Sequence, residues 1–186
     1  MRAFRFLRSR LEHKTVTITL LGRVLKVEVL EELNLALDQD TDLIVITGRD
    51  GYFAAGADIA ELNALSGPEA HAYARKGQRL FNKLAASNAR TVAAIDGFCL
   101  GGGLDLALAC QFRYATPRSV FAHPGGRIGI LTGWGGTQRL PDRVGRARAL
   151  EMMVAGRWVD AHTASEWGLV DEITESPLER ALSLNE

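Results

Sequence analysis

The chain has 186 residues, 47% of them hydrophobic and 24% charged, with Lys+Arg and Asp+Glu balanced at 22 each. That length buries a core without staples, and the neutral balance offers no bulk field to attract nucleic acid or a membrane surface. The apolar runs are broken by glycine or charge well short of a membrane span. The two cysteines, Cys99 and Cys110, form neither a CxxC pair nor a disulfide framework, so buried free thiols in a reducing cytoplasm are expected.

"MRAFRFLRSR" carries four arginines and no acid, but Phe4 and Phe6 alternate with Arg5 as in a strand, and no cleavable leader pattern follows. "KTVTITLL" (14–21) also alternates, which predicts a hairpin with the Phe4–Arg8 segment. "LKVEVLEELNLALDQ" has helical spacing, with Leu30, Leu33 and Leu37 on one face. "DLIVITG" (42–48) is a wholly apolar strand of the kind buried on both faces, and "RDGYFAAGADI" (49–59) reads as a small-residue loop. Ser66, Pro68 and Glu69 start a helix that should run to about Asn88. "TVAAIDG" (91–97) is another buried strand, followed by "CLGGGLDLALAC" (99–110), a glycine loop running into an apolar helix. "RYAT" and "VFAH" read as short strands. Three helices punctuated by Gly145, Gly156 and Gly168 follow, with Asp160 capping the last, then the strand "LVDEI" (169–173) and a short tail or helix from Glu175. Strands alternate with helices throughout, so the class is α/β, and no linker divides the chain. We expect one domain over 1–186, with a core of about 1–134 and trailing helices and a last strand over about 135–175.

The triple glycine suggests anion binding, but not of phosphate. A Walker loop needs Lys and Ser/Thr where Leu104 and Asp105 stand, and the dinucleotide fingerprint needs a glycine where Leu106 stands. Converging backbone N–H groups at a helix N-terminus can instead hold an oxyanion that exists only during reaction. Gly102 is the candidate donor, and the loop "AAGADI" the candidate source of a second. The same glycines also permit tight helix-to-strand packing, and spacing alone does not decide between the two.

The runs "GYFAAGADIAEL", "AAIDGFCLGGGLDLALACQFRYAT" and "GGTQRLPDRVGRARALEMMVAGRWVDAHTASEWGLVDEI" together resemble the crotonase (enoyl-CoA hydratase/isomerase) family over about residues 40–173. The resemblance implies a spiral of ββα superhelical turns, assembly as a homotrimer or dimer of trimers, and an acyl-CoA thioester substrate. Coenzyme A is then part of the substrate and no separate cofactor is expected. The thioester carbonyl would sit between the N–H groups of Ala57 and Gly102. Ala55, Ala57, Asp58, Ile59, Ala60, Gly101 and Gly102 would lie along the thioester and the bent CoA chain.

Three departures from the family pattern bear on activity. The first of the two hydratase glutamates falls on Asp105, one methylene shorter, and the second on Gly125, which has no side chain. Hydration needs groups to activate water and deliver a proton, so the resemblance implies hydratase/isomerase chemistry with Asp105 as the one acid/base. Decarboxylation or another enolate reaction is the alternative, because Gly125 leaves room for a substrate carboxylate. A further alternative is a catalytically weak acyl-CoA-binding or assembly protein. The segment "LLGRVLKVEVLEEL" is shorter than usual and lacks the family's Asn-Arg-Pro, and the C-terminal helices that roof the acyl pocket are expected to be mostly missing.

Desolvation by the leucines around Asp105 should raise its pKa. His123 is the other candidate titrating group, beside Pro124. His13, His71 and His162 read as surface or helix positions, Trp134 as a wall of the acyl pocket or a residue packed under the following helix, and Arg127 as a solvated or structural arginine. No cluster has metal-ligand spacing, and no GxSxG elbow is present.

Overall fold

In the computed structural model, which describes residues 4–185, the chain winds as a spiral. Each of the first four turns gives a strand to a six-stranded sheet (the first turn gives two, as a hairpin), the next to a smaller sheet, and then a helix. The first turn comprises β1 (Leu7–Glu12), β2 (Thr15–Leu20), β3 (Val24–Leu25) and α1 (Val27–Ala36). The second comprises β4 (Leu43–Thr47), β5 (Tyr52–Ala54), β6 (Gly56–Ala57), α2 (Ile59–Ala64) and α3 (Gly67–Ala85). The third is β7 (Arg90–Ile95), β8 (Phe98–Leu100) and α4 (Gly102–Ala109). The fourth runs through β9 (Phe112–Ala115), β10 (Val120–Ala122), a 3₁₀ turn at Pro124–Ile128, α5 (Gly136–Val144) and α6 (Arg146–Met153). β11 (Val159–Asp160), α7 (Ala161–Glu166), β12 (Glu172–Ile173) and α8 (Pro177–Leu182) complete the chain.

The large sheet has the order β1-β2-β4-β7-β9-β12 and is parallel except for the β1–β2 hairpin. A four-stranded sheet, β11-β10-β8-β5, and a two-stranded sheet, β3-β6, stand beside it. The large sheet explains why "LIVIT" is apolar throughout. Ile44 and Ile46 of β4 face the main core, while Leu43 and Val45 pack with Val92, Ala94, Tyr114 and Ala181 under α8. A strand buried on both faces has no polar side to alternate with.

Several boundaries differ from the sequence reading, each for a local reason. The first strand begins at Leu7, not Phe4, because the Glu32 carboxylate takes the amides of Arg5 and Phe6, at 2.8 Å each, and draws them onto α1. His13 and Lys14, both with positive φ, make the tight turn that sets the hairpin register. The segment 49–59 is not simply a loop, since β5 and β6 lie within it and pair with β8 and β3. The helix from Ser66 ends at Ala85, three residues before Asn88, although its start holds: Glu69 accepts from both the amide and the hydroxyl of Ser66. Only Glu172–Ile173 of "LVDEI" enters the ladder, and the tail after Glu175 forms α8. Asp160 caps α7 by accepting from the Thr163 amide at 2.8 Å, and Cys99 and Cys110 are buried free thiols.

One buried cation ties the last turn together. Arg113, fully buried on β9, donates to the carbonyls of Leu169, Ala107, Cys110 and Gln111 and to the Asp171 carboxylate at 2.6 Å. Every donor direction of its fork is thus used where α4 ends and the chain returns towards β12.

Candidate functional site

Two loops meet where the second and third turns of the spiral stack. β6 ends at Ala57, and α4 begins at Gly102 after Gly101, whose φ of +50° and ψ of −121° suit only glycine. A Cβ on Gly56 would lie 2.9 Å from the Gly102 nitrogen, and one on Gly102 would lie 3.4 Å from the Ala57 nitrogen. The two amides therefore stand side by side. Gly102 is the first residue of α4, so its N–H has no acceptor within the helix, and the positive end of the helix dipole lies behind it. This arrangement can receive a carbonyl oxygen that gains negative charge.

Trp134 fixes the approach to these amides. It is 3% exposed, and its ring lies so close to both Gly77 of α3 and Gly102 of α4 that a Cβ at either position would fall within 2.6 Å of it. Tyr73 and Phe81 pack on the ring from α3, at centroid distances of 5.4 and 5.7 Å.

Asp105, on the first turn of α4, is fully buried. Thr132 donates its hydroxyl proton to Oδ2, which also accepts from the Trp134 amide at 3.3 Å. Desolvation dominates its titration and raises the carboxyl to about 6, with the hydrogen bonds from Thr132 and Trp134 and the charge of Arg139 pulling the other way. His123, 3% exposed, has its Nε2 3.6 Å from Asp105 Oδ1, beyond a hydrogen bond but within ion-pair reach. Burial lowers its imidazole to about 4. At neutral pH the carboxylate is therefore charged and the imidazole neutral.

An apolar cavity of about 510 Å³ opens in front of the paired amides. Of the residues named from the sequence, its wall takes Ala55, Ala57, Ile59, Gly101, Gly102, His123, Gly125 and Trp134. Asp58, Ala60 and Asp105 do not border it. Asp58 instead caps α2, accepting from Ala60 at 2.9 Å and Glu61 at 3.4 Å, with Lys26 3.5 Å away. Asp105 lies behind His123, Thr132 and Trp134. Arg127 is exposed and donates to the Gly156 carbonyl at 3.4 Å, as expected of a solvated or structural arginine, and it also borders the cavity.

Gly125 marks more than an absent carboxylate. A Cβ there would fall 2.4 Å from the Ile130 carbonyl oxygen, because the chain folds back and Ile130 donates its amide to Gly125 at 2.9 Å. The sequence reading missed Ala70, Tyr73 and Ala74, which present one face of α3 to the cavity, and Thr132, which anchors Asp105. The i, i+3, i+4 spacing of the first three was a usable signal. Thr132 had none. Among the described residues no cluster of three or more His, Cys, Asp or Glu side chains could hold a metal ion, and no helix is long and apolar enough to cross a membrane.

Known proteins share this architecture. The structure of Pseudomonas aeruginosa DspI superposes with a TM-score of 0.92 over 100% of this chain and 80% of its own, at 31% identity. Bacillus anthracis enoyl-CoA hydratase superposes with a TM-score of 0.90, covering 97% of this chain and 75% of its own, at 29% identity. In sequence, the chain is 40% identical over 139 residues to crotonyl-CoA hydratase of Syntrophomonas wolfei, covering 74% of this chain. It is 42% identical over 139 residues, 73% of this chain, to the fatty acid oxidation complex subunit alpha of Idiomarina loihiensis. The matched segments span 54% and 20% of those two relatives. The enoyl-CoA hydratase/isomerase family profile matches residues 17–182, nearly the whole spiral with both amide-bearing loops. The crotonase-like spiral and the sequence thus agree, and the chain belongs to the enoyl-CoA hydratase/isomerase family.

Proposed function

We propose that the protein is an acyl-CoA thioester enzyme of the hydratase/isomerase type that works through a thioester enolate. The observation that carries this reading is the juxtaposition of the Ala57 and Gly102 amides at the wall of an apolar cavity, with a buried carboxylate behind that wall. The thioester oxygen sits between the two N–H groups, the acyl chain lies along Ile59, Leu62, Ile128, Ile130 and Leu131, and Asp105 is the carboxylate of the proton-transfer step. Donors fixed by the fold cost no reorganisation as charge moves onto the oxygen, and such a donor contributes on the order of 10²–10³ in rate. Coenzyme A is substrate in this reading, with no separate cofactor.

Proton transfer fits the site better than water addition. No carboxylate borders the cavity among the described residues, and the backbone at Gly125 leaves no space for a second one. Decarboxylation of a carboxyl-bearing thioester is the second reading, favoured by Arg127, the charged side chain in the cavity wall. The family resemblance also supports assembly as a homotrimer or dimer of trimers.

A panel of enoyl-, 3-hydroxyacyl- and malonyl-type CoA thioesters, assayed with wild type and Asp105→Asn, tests this. Turnover of an enoyl thioester, reduced at least 10²-fold in the variant, supports the main reading. Turnover confined to the malonyl type supports the second. Tight binding of every thioester with no turnover leaves an acyl-CoA-binding protein.

A further inference from the structure

Arg139, the fourth residue of α5, is a half-buried cation whose hydrogen bonds go to neutral acceptors. Its Nη1 donates to the Trp134 carbonyl at 3.2 Å, and its Nη2 to the Asn82 side chain of α3 at 2.6 Å. Among the described residues no carboxylate forms an ion pair with it. A cation taken partly out of water without a counter-charge in contact is costly to keep. Its seat is nonetheless built into the backbone. Gly135, at φ +111°, leaves the room that Nη1 fills, since a Cβ there would overlap that atom. The charge facing Arg139 is that of Asp105, and each favours the ionised form of the other. α3 holds the Trp134 loop as well. Gln78 donates to the Gly133 carbonyl at 2.8 Å, and the N–H of that same peptide is the Trp134 amide that reaches Asp105 Oδ2. A peptide bonded at both ends is fixed in direction and polarised towards its acceptor.

Resting on the reading of Asp105 as the carboxylate of the proton-transfer step, we propose that Arg139 is a positioning residue for it. The guanidinium supplies the counter-charge to Asp105 and, through the Trp134 backbone, holds the loop that aims the carboxylate. Contact is not required, because charges interact over longer distances inside a protein than in water. Burial alone drives the Asp105 carboxyl towards its protonated form, and Arg139 opposes this. The other groups that face Asp105 carry no charge at neutral pH. His123, at the end of β10, is kept neutral by burial, as is the Cys99 thiol of β8. Thr132 and the amides of Trp134 and Gly136 are neutral donors. Removing the positive charge should therefore move the Asp105 titration upward, leaving less of the carboxylate form at neutral pH.

Two measurements on wild type, Arg139→Gln, Arg139→Lys and Asn82→Ala test the proposal. One is the NMR titration of the Asp105 carboxyl carbon without ligand, and the other the pH profile of α-proton exchange of butyryl-CoA in D₂O. Arg139→Gln should raise the carboxyl titration and the acid limb of the exchange profile together by about one pH unit, a tenfold change in proton affinity. Asn82→Ala removes an acceptor but no charge, so it should lower the melting temperature and leave both titrations in place. Arg139→Lys keeps the charge and loses the two-pronged hold. It should titrate as wild type does and exchange about ten- to hundredfold more slowly at saturating butyryl-CoA, with unchanged affinity. That variant carries the test if Arg139→Gln does not fold, and exchange at the wild-type rate in it would overturn the hold on the loop. A carboxyl titration unmoved in Arg139→Gln, or moved equally by Asn82→Ala, would overturn the role of Arg139 alone. If wild type exchanges no α-proton, the proton-transfer reading of Asp105 falls, and the part of Arg139 in it falls too.

Discussion

Asp105 and His123 carry opposite burial penalties, and their titration tests the geometry without any ligand. The Asp105 carboxyl rises from its usual 3.8 to about 6, so burial favours its protonated form. Its contribution to stability is full below pH 3.8 and is lost as pH rises through 6. The His123 imidazole falls from 6.5 to about 4, so burial favours its neutral form. That contribution is full above pH 6.5 and is lost as pH falls through 4. The slopes oppose each other between pH 4 and 6.5, so the pair contributes little net pH dependence to wild type in that window. Asp105→Asn should lose stability on acidification from pH 6.5 to 4, and His123→Gln should gain it, each by at most about 3 kcal/mol. Urea denaturation at pH 4.5, 5.5 and 7 measures this, and equal slopes in the two variants would contradict the assignment. Gly125 gives a second expectation at this scale. Gly125→Glu should not create a hydratase, and it should lower stability by roughly 1–3 kcal/mol, because its Cβ meets the Ile130 carbonyl oxygen at 2.4 Å. Thermal unfolding and crotonyl-CoA hydration rates check both halves, and a stable, faster variant would show that the loop is free to open.

At the scale of elements, the site depends on how closely α3, α4 and the Trp134 loop approach one another. Gly77 and Gly102 face the Trp134 ring from two helices, so a methyl at either position forces the indole to move. Gly77→Ala lies away from the proposed donors, and it should cost roughly 1–3 kcal/mol of stability and weaken thioester binding by displacing the cavity wall. Calorimetry with butyryl-CoA reads the second effect, and unchanged affinity and melting temperature would contradict the packing described. This dependence also explains which parts of the site were legible in the sequence. Gly102 and the acid at 105 belong to a local motif, a glycine loop entering a helix, which residue type and spacing expose, whereas Ala57 was singled out within its small-residue loop only by the family resemblance. The contact of Trp134 with Gly77 joins residues 57 positions apart, and that of Thr132 with Asp105 spans 27. No local pattern encodes such contacts. The β5 and β6 strands escaped notice for the same reason, since their partners β8 and β3, and not their own propensity, make them strands.

Over the whole molecule, the spiral makes the site by stacking turns, so each turn must hold its register on the next. Arg113 is the internal tie of the last turn, fully buried and bonded to four carbonyls and Asp171. Arg113→Ala leaves those carbonyls and the carboxylate without their donor, and should cost about 3–5 kcal/mol, read as a fall in the urea midpoint. A loss below 1 kcal/mol would show that this tie is dispensable. The overall fold class was legible because strands and helices alternate along the chain. The sharing of strands among three sheets was not, because it follows from pairing between turns. The spiral presents two backbone amides to one apolar cavity, and the central claim is that they polarise a thioester carbonyl. The isotope-edited infrared spectrum of crotonyl-CoA labelled with ¹³C at C1 tests this most directly. The carbonyl stretch should move to lower frequency on binding, and stay lowered in His123→Gln because the donors are backbone. A bound thioester whose carbonyl absorbs as it does in water would contradict it.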